Sequence, residues 1–159
     1  DNLFKHINID ANNTHVPDAN AEDIENYCKE YDMLIEEKGG IDLQILGIGV
    51  NGHIGFNEPD EELNVGTSIV NLTESTIQAN SRFFDSPDQV PIKAITMGIG
   101  AIMKAKKIVL LASGKGKANI MAKLIDSDYV TTEIPASLLK LHPDVIVIMD
   151  EEAAAQLKK

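Results

Sequence analysis

The chain has 159 residues, 43% of them hydrophobic, a formal net charge of −11 and one cysteine. That length supports one domain with its own core, and no window reaches the roughly 18 uninterrupted apolar residues of a membrane-spanning helix. The acidic balance and an aromatic content of 4% exclude both a cationic stripe against nucleic-acid phosphates and a stacking platform for bases.

In chain order, residues 10 to 20 carry Asn12, Asn13, Pro17 and Asp18 and read as a loop. A helix follows, with Asn20 as N-cap and Glu22 and Asp23 in its first turn. Its apolar positions Ile24, Tyr27, Cys28, Tyr31, Leu34 and Ile35 recur at helical spacing, and Gly39-Gly40 end it. Cys28 lies on that stripe as a small core side chain. A lone cysteine forms no internal disulfide and fits a reducing compartment, and with no basic and apolar leader in these residues the expected location is cytoplasmic. Asp42 to Leu46 is a short apolar run breaking into glycines, a buried strand that feeds a loop. A second helix opens at Thr73 and carries Ile77 and Phe84 inward, with Arg82 nearby. Lys107 to Ala112 is another buried strand, entering the turn Ser113-Gly114-Lys115-Gly116-Lys117 and a helix from Ala118. Val145 to Met149 is a last strand before an acidic helix start at Asp150-Glu151-Glu152. Continuous apolar strands alternating with amphipathic helices predict an α/β fold: a three-layer α/β/α Rossmann-like parallel sheet covered on both faces.

The informative stretch is Gly47-Ile48-Gly49-Val50-Asn51-Gly52-His53-Ile54-Gly55-Phe56-Asn57-Glu58-Pro59. Gly47, Gly49 and Gly52 have the spacing of a dinucleotide fingerprint, but that motif needs a helix opening on its last glycines, and His53, Gly55, Asn57 and Pro59 make a poor one. A metal site has His53 and Glu58 with only Asp60, Glu61 and Glu62 to add, and no second histidine nearby. The remaining reading is acid–base. Ligands sit at the carboxyl ends of parallel strands, where this loop begins. There, a histidine beside a carboxylate accepts and returns a proton near neutral pH. The bland alternative is a polar turn whose histidine satisfies backbone carbonyls.

The loop from Leu46 to Pro59 closely resembles the signature of the glucosamine-6-phosphate deaminases. The similarity continues through Leu72-Thr73, Ala79 to Phe84, Ala94 to Gly100, Gly114 to Ala118, Pro135 to Ser137 and Leu141 to Asp144. It covers nearly the whole chain in order, read as a single domain over residues 1–159. Sister families such as the 6-phosphogluconolactonases share the glycine-histidine turn but lack Phe-Asn-Glu-Pro. The resemblance implies conversion of glucosamine 6-phosphate and water to fructose 6-phosphate and ammonia, without metal or organic cofactor. It implies that His53 opens the pyranose ring, that Glu58 orients and tunes it, and that Arg82 and Lys117 contact the substrate phosphate. Gly47, Gly49 and Gly52 would shape the loop backbone. Asn51 falls where some members carry aspartate, leaving His53 with one fewer anion beside it. Glu61, Ser68 and Val70 replace the serine and basic residues of allosteric members, so activation by a sugar phosphate is not expected.

The family also has an upstream segment with no counterpart here. It carries the aspartate that moves a proton from C2 to C1. The chain opens Asp1-Asn2-Leu3-Phe4 and reads as the carboxy-terminal part of a longer protein, its sheet incomplete at the amino-terminal side. The expectations are that this chain alone is inactive or nearly so, and that an uncovered apolar face drives homo-oligomer formation or association with the missing upstream segment. Two rival functions stay open: a galactosamine-6-phosphate deaminase/isomerase, hinted at by Asp60 after Asn-Glu-Pro, and a non-catalytic sugar-phosphate sensor.

Overall fold

The computed structural model describes residues 3–158; Asp1, Asn2 and Lys159 lie outside the described residues, so the expected domain of residues 1–159 runs past them at both ends. Up to residue 23 the chain makes only single 3-10 turns, at Phe4–His6 and Ala11–Asn13. Helix α1 then spans Ile24–Glu37 and is capped by Asp23, whose carboxylate accepts the Asn26 amide at 3.0 Å. Asn20 is therefore not the cap. Its own amide is bonded to the Asp18 side chain, and the Ala21 amide to the Asp18 carbonyl, so the chain is still turning there.

Three strands form the main sheet in the order β1 (Leu43–Gly47), β4 (Lys107–Ala112), β5 (Val145–Met149), all parallel. Two further strands, β2 (Ser68–Asn71) and β3 (Lys93–Thr96), pair antiparallel beside it. Strand period 2 decides what each sheet face carries. On one face Leu46, Ile108, Leu110 and Ala112 are buried under Ile102 of α3 (Ile99–Met103), Ile120, Met121 and Leu124 of α4 (Ala118–Asp126), and Ala136 and Leu139 of the 3-10 segment Pro135–Leu141. On the other face Leu43, Ile45, Leu111, Ile146 and Ile148 are exposed, Ile45 by 60% and Ile148 by 54%. The α/β fold is as expected; of the two sheet faces one is covered, and the other is the uncovered apolar face expected of an incomplete sheet. The helices after β3 and β4 pack on the same side, and α1 is engaged by β2 instead.

Asp32 on α1 makes that engagement specific, accepting the Thr67 amide at 2.8 Å and the Thr67 hydroxyl at 2.5 Å. Helix α2 (Glu74–Asn80) opens on the expected cap Thr73, and Ile77 is half-buried. Phe84, expected inward, is instead 39% exposed, because a 3-10 turn at Ser81–Phe83 follows α2 and redirects the chain. The helix expected at Asp150 is a run of turns. Asp150 does cap the Ala153 amide at 2.8 Å, but its carboxylate also takes the Ser113 hydroxyl and the Gly114 amide, tying the segment back to the turn after β4.

Candidate active site

The loop after β1 folds back on itself through Gly49 N–H to the His53 carbonyl, 2.9 Å, and Gly52 N–H to the Gly49 carbonyl, 3.0 Å. The His53 imidazole lies flat over Gly49. A Cβ on residue 49 would stand 2.3 Å from Cε1 and 2.4 Å from Nδ1, so only glycine leaves room for the ring. Gly52 has φ +92° and its missing Cβ would sit 2.8 Å from Ile134 Cγ2. Gly47 has nothing within 4 Å of a Cβ position, so space alone does not demand glycine there. No helix opens on these glycines; the next one begins at Glu74. The dinucleotide geometry is missing.

His53 Nδ1 and Glu58 Oε2 are 3.1 Å apart. Asn51 bridges the pair: its Nδ2 donates to the same Oε2 at 2.6 Å, and its Oδ1 accepts the His53 amide at 3.2 Å. An aspartate at 51 could not make the first of these bonds and would press a second carboxylate against Glu58. The other oxygen, Oε1, accepts the buried Thr76 hydroxyl at 2.5 Å. Burial pushes the Glu58 carboxyl up, but the hydrogen bonds from Thr76 and Asn51 and the neighbouring His53 together outweigh it and hold the group below its ordinary value. Glu58 is thus a carboxylate at neutral pH, and neutral His53 gives it the Nδ1 proton. That leaves the Nε2 lone pair free, with no partner among the described residues.

His53 lines a pocket of about 310 Å³ together with Gly49, Thr76, Arg82 and Lys117. Arg82, in the turn after α2, stands 4.7 Å over the Phe83 ring. Lys117 arrives from the far end of β4 and donates Nζ to the Ile48 carbonyl at 2.5 Å. Burial pulls the Lys117 ammonium below its ordinary value, and the Arg82 charge adds to this. Two cations that disfavour each other at one pocket wall are relieved by an anion between them. The expected site residues Asn51, His53, Glu58, Arg82 and Lys117 are therefore brought together, with Gly47 and Gly49 lining the pocket and Gly52 turned toward Ile134 and Ile120 in the core.

Sequence reasoning missed Thr76 and Thr96. Thr76 stands three residues after the cap Thr73, a spacing that signals a helix start and says nothing of Glu58. Thr96 ends β3 and its hydroxyl accepts the Phe56 amide at 3.0 Å. Asn57 is a buried pin whose Nδ2 donates to the Ile54 and Met97 carbonyls. His142 is structural too, with Nε2 bonded to the Ala105 carbonyl at 2.7 Å and Nδ1 accepting the Asp144 amide.

A mostly parallel α/β architecture thus brings a histidine, held by a carboxylate, and two cations to one pocket. Comparison with known proteins gives the family. The profile of the glucosamine-6-phosphate isomerases/6-phosphogluconolactonase family matches residues 1–147, and the chain belongs to that family. It is 62% identical over 157 residues to a glucosamine-6-phosphate deaminase of Clostridium perfringens, covering 99% of this chain and 64% of the relative. The corresponding protein of Halothermothrix orenii is 60% identical, with 65% of its length covered. A solved monomeric glucosamine-6-phosphate deaminase superposes with a TM-score of 0.93 at 47% identity, over 96% of this chain and 63% of that one. The chain thus spans somewhat less than two thirds of the relatives it matches.

Proposed function

We propose that this chain carries the ring-opening and phosphate-binding part of an amino-sugar phosphate deaminase, with glucosamine 6-phosphate as substrate. The observation that carries the reading is His53, paired with Glu58 at 3.1 Å, lining the same pocket as Arg82 and Lys117. Arg82 offers a planar fork and Lys117 a point charge to a phosphate dianion. With the phosphate held there, the sugar ring extends toward His53.

The chemistry at His53 balances within the substrate. Nε2 takes the proton of the anomeric hydroxyl and returns it to the ring oxygen as the C1–O5 bond breaks, giving the open aldehyde. Glu58 stabilises the imidazolium formed in between, and Asn51 holds the carboxylate in place. Deamination then requires a second base to carry the C2 proton to C1, after which water replaces ammonia at C2. The resemblance puts that base on an aspartate upstream of these residues, so this chain alone opens the ring without releasing ammonia. The reading carries a cytoplasmic location with it, because a sugar phosphate does not cross lipid and is met where it is made. It also carries an association, with a second copy or with an upstream segment, through the exposed face of the main sheet.

Ring opening interconverts the two anomers, so exchange spectroscopy on glucosamine 6-phosphate tests the reading directly. The chain should accelerate anomer exchange, and His53→Ala should abolish the acceleration. Binding without acceleration would support the sugar-phosphate sensor instead. Galactosamine 6-phosphate, assayed in parallel, separates the two epimers. Ammonia release by this chain that disappears in His53→Ala would overturn the assignment of the C2 base to an upstream residue.

A further inference from the structure

We propose that Thr76 is a positioning residue for the acid–base pair: its hydroxyl, given to Glu58 Oε1, keeps Oε2 turned to His53 Nδ1, so that neutral His53 presents an unprotonated Nε2 to the pocket. The inference rests on reading His53 as the ring-opening base.

The geometry gives the Thr76 hydroxyl one direction. Its Oγ1 accepts the Thr73 hydroxyl at 3.1 Å, so its own proton is free for Glu58 Oε1, 2.5 Å away. Thr76 is 4% exposed, so that bond is largely shielded from bulk solvent. Asn51 and His53 both reach the opposite oxygen, Oε2. Among the described residues, Thr76 alone holds Oε1. The terminal torsion of a glutamate is soft, and without an anchor on Oε1 the carboxylate is free to rotate away from the imidazole.

The same hydroxyl bears on the histidine tautomer. Thr76 Oγ1 lies 3.5 Å from His53 Nδ1 and, with its proton committed to Glu58, turns a lone pair toward the ring. Both oxygens facing Nδ1 are then acceptors, and only a protonated Nδ1 suits them. Remove the hydroxyl and the Glu58 carboxylate loses its anchor on Oε1 and is free to turn away. Nδ1–H then loses its acceptor, and the single imidazole proton is free to move from Nδ1 to Nε2. That tautomer cannot accept the anomeric proton.

The test is the imidazole nitrogen-15 spectrum of His53 in this chain, followed upward in pH until it no longer changes, so that the neutral ring is the form observed. The parent should show a protonated Nδ1 and a bare Nε2. Thr76→Val, which keeps the shape and removes the hydroxyl, should shift the tautomer ratio by roughly tenfold toward Nε2–H, the effect of one charge-assisted hydrogen bond. Thr76→Ser should restore the parent pattern. A merely structural role would leave the nitrogen pattern unmoved in a folded variant, and amide spectra establish that each variant is folded. A parent-like pattern in folded Thr76→Val overturns the proposal, as does failure of Thr76→Ser to restore it. Anomer exchange, measured on the same samples, should slow by roughly tenfold in Thr76→Val at saturating substrate. A parent chain that accelerates no exchange defeats the ring-opening reading, while the nitrogen spectra still decide the role of Thr76.

Discussion

Gly49→Ala offers the sharpest check on the site, because the structure fixes what the added methyl group meets. Its carbon would lie 2.3 Å from Cε1, 2.4 Å from Nδ1 and 2.6 Å from Nε2 of His53. Carbon in ordinary contact needs about 3.5 Å, so the imidazole must retreat by roughly 1 Å. The His53–Glu58 contact is 3.1 Å now, and a retreat of that size takes it beyond hydrogen-bonding range. Loss of a charge-assisted bond costs about 1.5–3 kcal/mol, and the same misplacement of a reacting group slows chemistry by about a hundredfold. Neither Gly47 nor Gly49 has a positive φ, so alanine strains neither backbone. Gly47→Ala is therefore the matched control. With nothing within 4 Å, it should leave stability unchanged or raise it by up to about 1 kcal/mol through a stiffer unfolded chain. Urea unfolding of the parent and both variants measures the difference. If Gly49→Ala is as stable as Gly47→Ala and keeps the parent nitrogen spectrum at His53, the packing argument is wrong.

Three further outcomes follow from the same geometry. Glu58 has its carboxyl held below the ordinary value, so its contribution to stability is complete above about pH 4.3 and is lost as pH falls through the lowered folded value. The stability difference between parent and Glu58→Gln, measured by urea titration from about pH 6 down to about pH 3, should shrink on acidification; a difference independent of pH contradicts the assignment. Asp32→Ala strips acceptors from the Thr67 amide and hydroxyl at once and should lower stability by about 1–3 kcal/mol, with far less loss in Asp32→Asn. The apolar face of Leu43, Ile45, Leu111, Ile146 and Ile148 should make the chain's sedimentation coefficient rise with concentration. The pair Ile45→Lys and Ile148→Glu should abolish that rise, and a monodisperse parent at high concentration would remove the reason for expecting association.

The parts of this fold that were legible share a physical cause. β1, β4 and β5 are runs of branched apolar residues ended by glycine or acid, and α1 and α4 keep their stripe at helical period, so the local pattern and the final environment agree. β2 and β3 were not called as strands. Ser68–Asn71 and Lys93–Thr96 hold four residues each, too few for alternation to stand out, and their partner is each other across a long stretch of chain. The bare face of the sheet was expected from the family resemblance and not from the strands, since a run of apolar side chains says that both faces are suited to burial and not which neighbours arrive. In the site, His53, Glu58 and Asn51 were nameable because they cluster among glycines at a strand end, whereas Arg82 and Lys117 were named through the family resemblance. Thr76 carried no such mark, and its role exists only once α2 has packed against the loop.

That dependence on packing runs through the whole site loop. It has no regular structure of its own, yet four separate elements grip it. Thr96 and Met97 at the end of β3 hold Phe56 and Asn57, Thr76 of α2 holds Glu58, the Ala136 amide donates to the Gly52 carbonyl at 2.9 Å, and Lys117 reaches the Ile48 carbonyl. A glycine-rich loop pays a large conformational entropy to be ordered, and local bonds such as Gly49 to His53 cannot cover that cost alone. The distant anchors supply the rest, and they constrain the two functions of the pocket jointly. Lys117 is a strut under the loop that carries His53 and, on the proposed function, also a wall of the anion site. Its bond to the Ile48 carbonyl competes with any phosphate for the same ammonium protons. Because an ammonium has three donors, it can serve both at once, and a bound anion would tighten the strut by fixing the lysine in place. On the function proposed above, substrate binding at the phosphate end would stiffen the floor beneath the imidazole, and the position of the base would depend on the occupancy of the proposed anion site.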